Sequence, residues 1–385
     1  MIINLLQIFF WILFSILFYI YFGYPILLFC IQKMINRPKT ESEFQKIPYV
    51  TIFIAAHNEE AVIKEKIMNA LSLNYPSKYL QIVVASDGST DSTENILQSF
   101  DNTQVTVFIN KTNIGKNAII NKYIPKTKGD IIVFTDSNAL FSNNSIKYLV
   151  ECFSDYRVGC VGGKLKYLKG STGVAKGEGL YFRYENFIRN LEGLCGNLIG
   201  CNGAIYAIRK ELYIPVPNHV PNDFYHPLSV LKRGFCSVFE QQAVAYEKPS
   251  ESQGEEFNRR KRIVTRSFGA LVEISKKYGF FNGKGLFNLI SHKILRWFGL
   301  PMMLIFFLVN GFLISKPLFL GFFLFQILFY LFGFFGYFLN CFGYKTKLFY
   351  IPFYFLLINF AGVSGLIDYF KGKRTITWTS AKTTR

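Results

Sequence analysis

Apolar and polar residues fall in blocks along this chain of 385 residues. Residues 2–31 contain no charged side chain, and apolar blocks at 297–314, 318–339 and 348–370 close the chain. The first block has the length of a membrane-spanning helix, which needs ~20 apolar residues. It lacks the basic start, short apolar core and small-residue cleavage site of a signal peptide, so it reads as an uncleaved span. A polar stretch lies between the two ends. The expected organisation is a membrane helix at 1–35, a catalytic-sized domain at 36–255, an amphipathic interfacial segment at 256–296, membrane segments at 297–370 and a basic tail at 371–385.

Within the polar stretch, short apolar runs alternate with helical patterns. The runs "YVTIFIAA" (49–56), "LQIVVAS" (80–86), "VTVFIN" (105–110) and "DIIVFTD" (130–136) predict strands. Helical patterns at 59–73, 92–100 and 117–124 separate them. This alternation predicts an α/β domain with a mostly parallel sheet covered on both faces, flanked by transmembrane helices. Ligands of such sheets bind beyond the carboxyl ends of the strands. Four polar clusters sit there: His57-Asn58-Glu59, Ser86-Asp87-Gly88, Asn113 to Lys116, and Asp136-Ser137-Asn138.

Plain structural roles compete at each position. Asp91 with Glu94 makes a capping box. Asp87 is also a turn residue type, and Asp136 precedes a helix beginning near Ser142 by six residues, too early for a cap. Further on, Leu180, Tyr184, Phe187, Leu191 and Leu194 follow helical spacing. Asn202 and Gly203 in "GCNGAIYAIR" suit either a plain turn or a close approach of backbone to ligand. Asp223 in "PNDF" is a helix cap, an active-site acid, or both. The basic amphipathic stretch 256–281 suggests a membrane-surface role for Arg260 and Lys261, leaving Arg259, Arg262 and Arg266 open.

The net charge of +18 divides into +8 over residues 36–285 and +9 over residues 286–385, with Lys33 supplying the last. Much of the excess therefore flanks membrane segments, and no zinc spacing or recognition motif points to nucleic acid. Lys33, Arg37 and Lys39 after the first span place the central domain in the cytoplasm. The seven cysteines are scattered without a C-x-x-C pair, as in reduced thiols. Three C-terminal spans would leave the basic tail outside. Either 297–314 is re-entrant or interfacial, or the charge rule is broken. A transporter is disfavoured because the spans hold almost no polar charge. A nucleotide-binding protein without catalysis is the other rival.

In order, "AAHNEE", "VVASDGSTDST", "NIGKNAIIN", "FTDSN", "GCNGAIYAIR", "PNDF" and "RRKRI" resemble the motifs of membrane-bound family 2 glycosyltransferases over residues 48–300. The similar branch includes cellulose, hyaluronan and poly-N-acetylglucosamine synthases and ceramide glucosyltransferase. The resemblance implies a GT-A fold and a nucleotide-sugar donor, usually a UDP-sugar. It implies donor contacts from His57, Asn58, Glu59, Asp87 and Lys116, and a Mg2+ or Mn2+ ion held by Asp136 and Asn138. It makes Asp223 the catalytic base and Arg262 the arginine facing the diphosphate, with Asn202 and Gly203 toward the acceptor. The implied partners are the donor, a glycan or lipid-linked acceptor, membrane lipid and components of a polysaccharide-export system. One base and direct displacement imply inversion.

The chain departs from the family pattern at several positions. Asn138 replaces the second acid of the metal motif, and Asn222 replaces a Glu. Arg259 stands for Gln, and Ile263 for a Trp that offers sugars an aromatic platform. The Ile predicts an enzyme that adds one or a few sugars rather than a processive synthase.

Overall fold

The computed structural model describes residues 1–34, 46–168, 173–249, 252–280, 283–343 and 346–373. Arg37, Lys39 and the tail from 374 onward lie outside the described residues. At the N-terminus, α1 (Ile2–Phe18), one π-helical turn (Tyr19–Gly23) and α2 (Tyr24–Met34) form a continuous apolar rod of 33 residues.

The chain then enters a sheet of eight strands. Four of them, β1 (Val50–Ala56), β2 (Leu80–Asp87), β3 (Val105–Asn110) and β4 (Ile131–Thr135), pair in parallel. β1, β2 and β4 are buried along their whole length, which is why they read as unbroken apolar runs. Helices α3 (Ile63–Leu71), α4 (Thr93–Gln98) and α5 (Lys116–Tyr123) connect them. The remaining strands are β5 (Leu140–Phe141), β6 (Val158–Tyr167), β7 (Tyr206–Arg209) and β8 (Cys236–Glu247), with α6 (Ser145–Glu151), α7 (Gly173–Leu194) and α8 (Asn222–Lys232) between them.

The order across the sheet is β3-β2-β1-β4-β7-β6-β8-β5. The parallel expectation holds for four of the seven strand pairings, β6 with β8 among them. β7 runs antiparallel to both of its neighbours, and β5 is antiparallel to β8. The chain steps outward from β1 to β3 and then returns to the other side of β1 to make β4. That reversal opens a crevice between the ends of β1 and β4. Apolar clusters cover both faces of the sheet.

After the sheet come α9 (Gln253–Tyr278), α10 (Gly283–Leu289), α11 (Leu295–Trp297), α12 (Gly299–Gly311), α13 (Pro317–Cys341) and α14 (Lys347–Phe370). The first rod, α13 and α14 are long and apolar enough to cross a membrane, and a 62° bend separates 285–297 from α12. The apolar block 297–314 is therefore broken at Phe298. α14 also differs from the other two candidates: 56% of its apolar window is buried against protein, compared with 17% for each of the others.

The helix expected from the spacing of Leu180 to Leu194 is present as α7, and the membrane-surface role expected for Arg260 needs correction. Leu180, Phe187 and Leu194 on α7 are exposed, while Glu178, Glu185 and Glu192, also seven residues apart, are buried. The carboxylates are buried because each has a cationic or hydroxyl partner, such as Arg259 for Glu178 and Arg296 for Glu185. Arg260 is not a membrane-surface residue. It is buried, ion-paired to Glu256 at 2.7 Å and laid over the Tyr181 ring at 4.5 Å. Lys261 pairs with Asp368 of α14 at 2.6 Å. α9 packs between α8 and α14 instead of lying on a surface, with Arg259 paired to Glu178 of α7 and Lys261 to Asp368 of α14.

Glu256 is central to this layer. It binds Arg259 and Arg260 and accepts a hydrogen bond from Tyr354 of α14 at 2.5 Å. Burial alone would raise its carboxyl, but the two arginines outweigh it and hold the pKa down to about 2. A depressed folded pKa stabilises the fold above the ordinary 4.5, and that stability is lost as the pH falls through about 2. Glu256→Ala leaves Arg259 and Arg260 to share Glu178 alone, a loss of ~3–5 kcal/mol. The variant is expected to unfold at a distinctly lower temperature at neutral pH in detergent. Its deficit relative to the parent should shrink as the pH approaches 2.

Candidate active site

The crevice between β1 and β4 opens into a cavity of about 1110 Å³. Of the sequence-predicted residues, Glu59, Lys116, Asp136, Asn138, Asn202, Gly203, Asp223 and Arg262 line it together. His57, Asn58 and Asp87 form an adjoining cluster behind Glu59. His57 Nδ1 lies 2.8 Å from the Asp87 carbonyl oxygen, and the Thr90 amide donates to Asn58 Oδ1 at 2.8 Å. Asp87 is fully buried, and its two oxygens accept from the Ile114 and Gly115 amides at 2.9 and 2.8 Å. It thus holds the loop before α5 and leaves neither oxygen pointing into the cavity. Gly88, at φ +63°, lets the two loops meet, since a Cβ there would lie 2.5 Å from the Asn113 nitrogen.

Asp136 follows β4 directly and forms an ion pair with Lys116, the first residue of α5. It caps no helix: the residue before α6 is Asn144. Below it, Lys66 is fully buried, donates to Thr135 Oγ1 at 2.9 Å and to the Ala139 carbonyl, and sits 4.0 Å over the Phe141 ring. Burial pushes the Lys66 ammonium down to about 7, despite the attraction of Asp136. Lys66 therefore ties both ends of the Asp136–Asn138 loop. Glu247, at the end of β8, also lines the cavity, and burial together with Asp136 raises its carboxyl to about 8.

Asp223 sits in the first turn of α8. The residue capping that helix is Pro221, so Asp223 is not a side-chain cap. A buried relay fixes the turn. Asn222 Nδ2 donates to the Tyr206 hydroxyl at 2.7 Å, and that hydroxyl lies 2.9 Å from His226 Nδ1. Burial lowers His226 to about 3, so the ring is neutral and accepts the Tyr206 proton. Burial likewise raises Asp223 above the ordinary carboxylate value, opposed by Lys116, Arg189 and Arg266.

The loop 201–203 closes the arrangement. The Cys201 amide donates to the Asp223 carbonyl at 2.9 Å, and Asn202 Oδ1 accepts from the Ala204 amide at 2.9 Å. Asn202 is thus a turn residue that also lines the cavity. A methyl group on Gly203 would stand 3.4 Å from Asp136 Oδ2 and 3.5 Å from Asp223 Oδ2. Both carboxylates converge on that point.

From α9, Arg262 and Arg266 face the cavity one turn apart. Burial lowers both, Arg266 to about 10, and Arg266 donates to the Val220 carbonyl at 2.8 Å. Arg259, by contrast, is taken up by Glu178, Glu256 and Tyr167. Ile263, where an aromatic platform was missing from the sequence, lines the cavity and is 44% exposed. Sequence reading missed three residues here: Lys66, Glu247 and Arg189 of α7, whose Nε and Nη1 are buried without a partner.

The oxygen donors suit a hard divalent cation. Among the described residues, no group of three His, Cys, Asp or Glu is arranged to hold a metal ion by itself. A carboxylate from Asp136 and an amide oxygen from Asn138 match an ion that takes its remaining ligands from substrate phosphates and water.

Comparison with known proteins bears on the family and the fold. The family model "Glycosyltransferase like family 2" matches residues 48–265. Among curated proteins, a beta-monoglucosyldiacylglycerol synthase of Nostoc sp. is 33% identical over 119 residues, 30% of this chain and 25% of that protein. A poly-beta-1,6-N-acetyl-D-glucosamine synthase of Staphylococcus epidermidis is 24% identical over 184 residues, 47% of this chain and 44% of that one. The chain thus spans less than half the length of these relatives. Among solved structures, a mannosyltransferase from Pyrobaculum calidifontis in complex with GDP-Man and Mn2+ superposes with a TM-score of 0.67 at 18% identity, covering 94% of this chain and 99% of that one. The fold is accordingly mixed α/β of the GT-A type.

Because a Gly203 methyl meets only ordinary contacts, Gly203→Ala is expected to fold and to melt close to the parent. The methyl occupies the point shared by the two carboxylates, so nucleotide release in the presence of a divalent cation should fall by about tenfold or more. A coupled nucleotide-release assay beside a melting curve checks both halves.

Proposed function

The chain belongs to the family 2 glycosyltransferases, and from that premise we propose that it moves a sugar from a nucleotide-sugar donor to a hydroxyl acceptor at the membrane surface, with inversion. The observation that carries this reading is the convergence of Asp136 and Asp223 on one point beside Lys116 and Arg262. A donor sugar leaves as a nucleoside diphosphate, so negative charge grows on the diphosphate. Lys116 and Arg262 are placed to balance it in a site shielded from water. A divalent cation held by Asp136 and Asn138 supplies Lewis-acid stabilisation of the same charge when bound. His57, Asn58 and the loop tied by Asp87 form the cradle for the nucleoside.

Asp223 takes the acceptor proton on the opposite side. Its raised pKa gives it more basic strength than an ordinary carboxylate. A single base with no second nucleophile in the role assigned to it corresponds to direct displacement. Ile263 in place of an aromatic platform favours addition of one or a few sugars over long processive synthesis.

For localisation, we assign the sheet domain to the cytoplasmic face, next to Lys33. α14 lies along α9, with Tyr354 against Glu256, Gly365 against Lys261 and Tyr369 against Phe268. Its other side presents exposed Ile351, Phe360 and Ile367. This pattern fits a helix lying in the interface, with α12 and α13 as the pair that enters the bilayer. The basic tail then stays on the cytoplasmic side, as the charge rule requires.

A panel of nucleotide sugars with Mg2+ or Mn2+ is expected to give nucleotide release that a chelator abolishes. Asp223→Asn should lower kcat by ~10²–10⁴. The raised pKa means that the folded state holds this proton more tightly than the unfolded state does, so ionised Asp223 costs stability as the pH rises through its folded pKa. The amide removes that cost, and the variant should melt no lower than the parent at neutral pH. The parent's kcat/KM should fall on the acid side with an apparent pKa above 3.8. Normal turnover by Asp223→Asn would exclude it as the base.

A further inference from the structure

Behind the site lies a side chain that the transfer chemistry above leaves unused. Lys66 falls on the buried stripe of α3 with Ile63, Ile67 and Ala70, and solvent reaches none of it. Its Nζ donates to the Thr135 hydroxyl at 2.9 Å and to the Ala139 carbonyl, and lies 4.0 Å over the Phe141 ring. Burying an amine is more costly than burying an apolar chain of the same length, and a methionine would fill the stripe without that cost. A methionine would also leave both acceptors without a donor.

We propose that Lys66 is a positioning residue for sugar transfer: through Thr135 it couples the loop of Asp136 and Asn138 to the loop of Asn202 and Gly203, and so sets how far Asp136 stands from Asp223. The proposal rests on the transferase reading above. It adds a residue that does not itself line the cavity.

The coupling follows from which atoms can donate. β4 and β7 pair as far as Phe134 and Tyr206; the next residues lead to Asp136 on one chain and back to Gly203 on the other. The Thr135 hydroxyl bridges the two chains there, 2.9 Å from the Ala204 carbonyl oxygen. A carbonyl only accepts, so the single hydroxyl proton points to it. Thr135 Oγ1 must then take its other bond from a donor, and Lys66 Nζ supplies it. Ala204 belongs to a turn closed by Asn202, whose Oδ1 accepts from the Ala204 amide at 2.9 Å and whose carbonyl accepts from the Ile205 amide at 3.0 Å. The Cys201 amide joins the same turn to the Asp223 carbonyl at 2.9 Å. A path of hydrogen bonds and short backbone links therefore leads from Lys66 to Asp223.

The same helix holds the far end of the Asp136 loop. Besides the bond from Lys66 to Ala139, Asn69, one turn on, donates to the Phe141 carbonyl at 3.0 Å and accepts from the Phe141 amide at 2.8 Å. Ser137 Oγ, between Asp136 and Asn138, donates to the Ala55 carbonyl at 3.2 Å. The backbone around Asp136 is thus pinned from beneath, and its carboxylate is left to face Lys116 and the cavity. A methyl on Gly203 would stand 3.4 Å from one Asp136 oxygen and 3.5 Å from one Asp223 oxygen. A shift of either loop therefore changes the gap across which donor and acceptor react.

The test uses the full chain in lipid nanodiscs and the variants Lys66→Met, Thr135→Val and Thr135→Ser. Turnover is read as nucleotide release from a panel of UDP- and GDP-sugars with Mn2+, and binding as the Kd of UDP and GDP with Mn2+ by calorimetry. Thr135→Val, close to threonine in shape, is expected to lower kcat about tenfold or more while Kd stays close to the parent's. Thr135→Ser keeps the hydroxyl and should return kcat close to the parent's. Lys66→Met should lower kcat at least as far as Thr135→Val does. The double variant should fall no further than Lys66→Met alone, since both changes break one link. Losses that multiply in the double variant, Thr135→Ser no better than Thr135→Val, or parental turnover by Thr135→Val would each overturn the proposal and leave the transferase reading intact. Should Lys66→Met fail to fold, the comparison of Thr135→Val with Thr135→Ser decides. Absence of nucleotide release by the parent from every donor overturns both.

Discussion

Burial of three carboxylates on one helix governs how the parts of this protein fit together. Glu178, Glu185 and Glu192 are almost inaccessible to solvent, and an unpaired charge in such a place costs several kcal/mol. Each therefore dictates a neighbour. Glu178 requires Arg259 of α9; Glu185 requires His292 and Arg296; Glu192 takes His292 at 2.7 Å and the Tyr24 hydroxyl of α2 at 2.7 Å. The N-terminal rod, the cavity floor and the segment leading into α12 are joined through α7 by these contacts. Arg262 and Arg266 are presented to the cavity because α9 is held in this register. The catalytic half and the membrane half thus share one electrostatic joint.

Much of the sheet half was legible because its physics is local. β1, β2 and β4 are buried on both faces, so their sequences are uniform apolar runs, and the chemistry follows at their ends. The other half hides its strands. β8 is exposed at Gln241 and Gln242 in mid-strand, and β6 shifts register against it between Gly163 and Lys164, so neither shows a clean period. The inward face of α7 was not legible for a related reason. Periodicity marks which residues share a face, but which face turns inward depends on partners far along the chain, here at positions 259, 292 and 296.

The same distinction applies to the site. Asp136, Asp223, Lys116 and Arg262 were found as polar residues in motifs, and the structure brings them to one cavity. Asp87 was read as a donor contact, and each of its oxygens accepts one amide of the loop before α5. Lys66 could have been noticed, since it falls on the buried stripe of α3 with Ile63, Ile67 and Ala70. A lysine on an apolar face needs acceptors, and here they are the ends of the Asp136 loop. Glu247 follows an apolar run just as Asp136 does. Arg189 gave no local signal, because its importance lies in what it faces across the cavity.

The division of labour around the cavity bears on how such a chain can change over evolutionary time. Residues before 140 bring Glu59, Lys116, Asp136 and Asn138 to the cavity, whereas its aromatic end draws on Tyr21 and on residues beyond 290. Substitutions in α14 or at the tip of α11 can therefore reshape one compartment while the other is untouched, provided the acidic row on α7 keeps its partners. Such a scaffold lends itself to duplication and divergence, with one lining of the cavity kept while the other drifts.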